Sequence, residues 1–113
     1  MTEHLLIVTE QQVHDAMEYL RSSAVELGKA RARADLASAM VKHVEALMFK
    51  ASDERSDDRR KVDARTSQKY VEAINDDAEA AGELTKLYAL REAAASRIEI
   101  WRTQSSNIRS VKL

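Results

Sequence analysis

The sequence contains no cysteine and no proline, and its only glycines are Gly28 and Gly82. Without cysteine there is neither a disulfide framework nor a thiolate nucleophile, and a cytoplasmic site is the default expectation. The scarcity of glycine and proline removes the turns that a many-stranded β fold or a doubly wound sheet requires. It also removes the glycine-rich loops that cradle phosphates in nucleotide-binding enzymes. Aromatic residues make up 4% of the chain, with a single tryptophan and a single phenylalanine, so a thick monomeric core is not expected. Long apolar runs are missing as well. The run from Leu5 to Val8 lies between Glu3 and Glu10, too short for a signal-peptide core or a membrane span, and no targeting and no membrane partner are expected.

What the chain does have is alanine, 18 times in 113 residues, together with 33% charged residues. That balance favours helices joined by few turns, in one domain spanning residues 1–113. Thr9 followed by Gln12 forms a capping box, and Val8 and Val13 occupy the positions of a hydrophobic staple, so a helix is predicted to begin near Glu10. Apolar or small residues then recur at Val13, Met17, Leu20, Ala24, Leu27, Ala30, Ala34, Ala37, Val41, Val44 and Met48. The steps alternate between four and three with one slip near Gly28, which predicts a single helix over about 10–50. At the slip, Gly28 is expected to allow close packing or a bend.

Residues 51–56 hold no large apolar side chain and offer Ser52 and Ser56 as helix caps, so the chain is expected to turn there. A second helix is predicted over about 57–81, with Val62, Thr66, Tyr70, Ala73 or Ile74, Asp77 and Ala80 in its seam. A third follows over about 83–110, with Leu84, Leu87, Arg91, Ala94, Ile98, Trp101, Ser105 and Ile108; the returning arm is either broken near residues 75–83 or continues through Gly82. The expected fold is all-α, a long antiparallel helical hairpin whose thin core calls for assembly as an oligomer.

None of the three histidines, His4, His14 and His43, has the Glu-x-x-His or HExxH partners that a metal site on a helix needs. Glu72, Asp76, Glu79 and Glu83 line one helix face. They could hold magnesium only with a second acidic cluster, and the scattered Glu10, Asp15, Glu18 and Glu26 do not supply one. No cofactor and no catalysis are therefore expected. The net charge of −1 hides blocks: acidic to Gly28, basic from Lys29 to Lys42, acidic from Glu72 to Glu83 and basic from Leu84 onward. In a hairpin the first basic block lies level with the acidic run and pairs with it in part. That leaves the C-terminal basic face without an obvious internal partner.

In that last segment Arg97, Arg102, Arg109 and Lys112 stand among Thr103, Gln104, Ser106 and Asn107, side chains of the kinds that contact phosphates. Arg102, Ser106 and Arg109 share a face by their spacing. Ile98, Trp101 and Ile108 lie on the adjacent seam, where Trp101 is read first as a core or interface anchor and second as a stacking platform for an unpaired base. The pattern R-I-E-I-W-R-T-Q-S-S-N-I-R, behind an alanine-rich helix, resembles small phage and prophage proteins similar to the UvsY recombination mediators of T-even phages. The resemblance implies an oligomeric, ring-forming helical protein that binds single-stranded DNA, contacts a recombinase and helps it displace single-strand binding protein. Arg97, Arg102 and Arg109, with Lys112, are the residues it carries over. Two other classes stay open: a structural or adaptor coiled coil without nucleic-acid binding, and a magnesium-dependent nucleotide hydrolase.

Overall fold

The computed structural model describes residues 7–112, with side chains as far as Val111. Among these residues there are four helices and no strand: α1 (Glu10–Ser22), α2 (Ala24–Ala51), α3 (Asp57–Thr66) and α4 (Gln68–Lys112). The chain divides into two compact units, Met1–Leu27 with Lys86–Leu113 and Gly28–Thr85, where length alone suggests one. In each unit an outgoing helix is paired antiparallel with a returning one, the helical-hairpin arrangement expected of an all-α chain.

In the first unit, α1 starts at the capping box: the Thr9 hydroxyl accepts from the Gln12 backbone at 3.2 Å, and the Gln12 side chain accepts from the Thr9 backbone at 2.9 Å. Val8 and Val13, the staple positions, are both buried. The α1 core then runs through Ala16, Leu20 and Ser23 rather than through the larger Met17 and the neighbouring Ala24, both of which are exposed. With Ala16 and Ser23 in the seam, the alternation of three and four continues unbroken through Leu27, Ala30, Ala34 and Ala37 to Met48, and the slip near Gly28 disappears. Small residues win these positions because the paired helices approach closely, and a thioether would have to be accommodated at the cost of that approach.

The helix expected over 10–50 is interrupted at Ser23. The Ser23 hydroxyl donates to the Tyr19 carbonyl at 2.6 Å, while Arg91 of α4 donates to the Leu20 carbonyl at 2.8 Å and to the Ser23 hydroxyl at 2.5 Å. A guanidinium inserted beside the i to i−4 ladder accounts for a local break without proline or glycine. Gly28 has no part in it: a Cβ built there would meet nothing within 4 Å, and the same holds at Gly82.

In the second unit, Ser56 caps α3 as expected, accepting from the Arg59 backbone at 3.2 Å. The preceding turn is held by Arg60, which donates to the Glu54 and Ser52 carbonyls at 2.9 and 3.3 Å and lies 5.5 Å from the centroid of the Phe49 ring. The returning arm breaks at Ser67, not near Gly82, and α4 passes through Gly82 as continuous helix. Ser67 has the extended backbone of a cap (ψ 149°), donates to the Ala64 carbonyl at 2.7 Å and accepts from the Tyr70 backbone at 3.2 Å, so one side chain ends α3 and starts α4. Because the break shifts the helical phase, Ala64 is buried where Val62 and Thr66 were expected, and both of those are exposed. Beyond the break the seam follows its predicted path through Ala73, Asp77 and Ala80, with Ile74 exposed. Among the described residues no large side chain is fully buried, as the shortage of aromatics implies.

Candidate nucleic-acid interface

The basic segment of the sequence forms the C-terminal part of α4, in the first unit. Leu87 and Ala94 are buried there, Arg91, Ile98, Trp101 and Ser105 are half-buried, and Arg97, Arg102 and Arg109 are exposed. Of the three residues expected as core or oligomer anchors, Ile98 and Trp101 are thus only partly covered, and Ile108 is 41% exposed. Lys112 closes α4, and its side chain lies outside the described ones, as does the whole of His4. His14 and His43 are exposed.

Arg102 and Arg109 are seven residues apart, two helical turns, and so project in nearly the same direction. Trp101 and Ile108 repeat that spacing one residue earlier. Between the two rows stands Ser105, whose short side chain leaves a hollow of about 320 Å³ lined by these five residues. Arg97, five residues before Arg102, points some 140° away around the helix and does not line the hollow. Arg102 and Arg109 thus share a face with the exposed Ser106, as their spacing predicts, and Ser105 joins them on the hollow's side, while Arg97 stands apart.

Arg102 donates to the Glu99 carboxylate at 2.7 Å within the helix, and both side chains are 68% exposed. An ion pair so solvated contributes at most about 1 kcal/mol, so the guanidinium is readily surrendered to another anion. Arg97 and Arg109 make no ion pair with any described residue. Gln104, grouped with the phosphate-contacting side chains by its position, has a structural use: its Oε1 accepts from the Ile7 and Val8 backbones at 2.9 and 3.1 Å, and its Nε2 donates to the Val8 carbonyl at 2.7 Å. It ties the approach to α1 onto α4, a role that a tail amide reveals only once its partner strand of chain is known.

Elsewhere some of the charges are paired internally. In the second unit Arg33 donates to Asp76 at 3.0 Å and to Glu83 at 2.7 Å, the pairing of the first basic block with the acidic run that the hairpin implies. Glu72 accepts from Gln68 at 3.2 Å. Among the described residues no three or more His, Cys, Asp or Glu side chains gather as a metal-binding group. No helix among them is long and apolar enough to cross a membrane. No protein-family model, no curated protein and no solved structure matches this chain.

Proposed function

We propose that this protein is a non-enzymatic single-stranded-DNA-binding accessory of recombination, of phage or prophage type, that acts as a cytoplasmic oligomer. The observation that carries the reading is the hollow on α4, where Arg102 and Arg109 stand beside Trp101 and the one ion pair made by either arginine among the described residues is the solvated contact of Arg102 with Glu99. A DNA backbone is recognised by such guanidinium forks, each contact displacing condensed counterions. The contrast with Arg33, whose two ends are both occupied by carboxylates, supports the assignment to this segment. From Leu84 onward six basic residues stand against Glu92 and Glu99, while α1 and the start of α2 in the same unit carry Glu10, Asp15, Glu18 and Glu26 against Arg21, so the attraction for an anion is local to the Arg102 and Arg109 pair and is not a property of the whole unit.

Two arginines per chain bind a strand weakly, and binding becomes useful when several copies engage one strand and raise each other's effective concentration. Self-association is supported by α2, whose seam is covered within the hairpin while Leu36, Met40, His43 and Leu47 form a second line at steps of four, three and four. Leu36 is 64% exposed, Met40 40% and Leu47 47%, an apolar line that a second helix can cover. The same line favours the second reading, a structural or adaptor coiled coil. A recombinase and single-strand binding protein are the protein partners that the mediator reading implies.

The experiment is a titration of a labelled single-stranded oligonucleotide at low salt, followed by anisotropy, with the mass in solution measured on the same samples. The wild-type oligomer is expected to bind and the Arg102→Ala/Arg109→Ala variant to lose at least tenfold in affinity at unchanged mass and helicity. Equal affinity of the two proteins, or no binding by either, moves the assignment to the adaptor reading.

A further inference from the structure

We infer that the α4 hollow takes an unpaired nucleobase, stacked on Trp101 with Arg102 and Arg109 on the adjoining phosphates; the inference rests on the DNA-binding reading and specifies its ligand. The hollow has two unlike edges. Trp101 and Ile108 form an apolar edge and Arg102 and Arg109 a cationic one, each pair two turns or about 10.5 Å apart along the axis, with Ser105 as the floor. That is the division of a nucleotide itself: a flat apolar ring on one side and a charged diester on the other. At about 320 Å³ the space is at the small end of ligand sites and large enough for a planar ring, whose stacking face is free only when the base is unpaired and unstacked. Trp101 is only partly covered although it sits on a seam position, so one part of its indole packs in the hairpin and another is presented to the hollow. Base stacking on an aromatic side chain tolerates any sequence, and neighbouring arginines add cation–π attraction.

Trp101 is the sole tryptophan, so tryptophan emission comes from this one side chain at the edge of the hollow. The full-length protein is titrated with oligothymidylate, with a phosphodiester oligomer of equal length that lacks bases, and with duplex. Oligothymidylate is expected to quench the emission to saturation. The abasic oligomer should bind without quenching, roughly 5- to 100-fold more weakly, the range that loss of one stacked base produces. Ser105→Leu fills the floor with an aliphatic side chain that offers no stacking face; at wild-type helicity it should bring oligothymidylate down to the affinity of the abasic oligomer. Equal binding of oligothymidylate and abasic oligomer with unaltered emission overturns the stacking inference and leaves the charge-based reading standing. Binding of neither ends both. A blue shift that grows with protein concentration in the absence of DNA means that a second copy fills the hollow, and it overturns the inference as well.

Discussion

The two glycines offer a stability test that follows from geometry alone. Each lies inside a long helix, Gly28 in α2 and Gly82 in α4, neither has positive φ, and a Cβ at either meets nothing within 4 Å. Glycine in a helix interior costs about 1 kcal/mol relative to alanine, through the larger backbone entropy lost on folding. With no steric penalty to subtract, Gly28→Ala and Gly82→Ala should each stabilise by ~1 kcal/mol and the double variant by about 2 kcal/mol. For a chain of this length that corresponds to roughly 4 °C per kcal/mol, so the double variant should melt about 8 °C higher. Circular dichroism at 222 nm at fixed protein concentration reads this directly, because assembly otherwise shifts the midpoint. A lowered midpoint for Gly28→Ala would refute the reasoning and place Gly28 against a surface, such as another copy, that needs the missing methyl.

Arg91→Ala should destabilise by about 1–3 kcal/mol in chemical denaturation, because it strips the Leu20 carbonyl and the nearly buried Ser23 hydroxyl of a charged donor; an unchanged midpoint would show that the Ser23 break does not depend on it. Ala80→Leu should cost about 1–3 kcal/mol by overpacking a seam built for close approach, and a neutral result there would mean that the two arms of the second unit separate without penalty.

Much of this architecture is readable from local chemistry. The capping box at Thr9 and Gln12 marks the start of α1 because both halves of the motif lie within four residues, and the cap at Ser56 is equally local. The returning seam from Tyr70 to Ser105 follows from its spacing of three and four, with only the choice between Ala73 and Ile74 left to the structure. Harder to read was any choice settled across the helix pair. Met17 outranks Ala16 on hydrophobicity, yet the paired helix leaves room only for the smaller side chain, and the apparent slip near Gly28 came from weighing size before fit. Ser67 looks like an ordinary helical serine until its hydroxyl is seen to serve Ala64 and Tyr70 at once, although the Thr66-Ser67 pair was a usable signal for a break. At the candidate site the segment was legible from its composition. Which of its cations act together was not: Arg97 belongs to the same run but to another side of the helix, and the hollow depends on Ser105 being small.

The central claim is tested most directly by the salt dependence of single-strand binding, measured for the wild type and for Arg102→Ala/Arg109→Ala between 50 and 200 mM salt. Each phosphate contact on a single strand contributes about −0.7 to the slope of log K against log salt. The account therefore expects the wild-type slope to be steeper than the variant's by about 1.4 for each subunit engaged, with helicity and mass unchanged. Parallel slopes for the two proteins would contradict it and show that whatever binds DNA, if anything does, is not this pair of arginines.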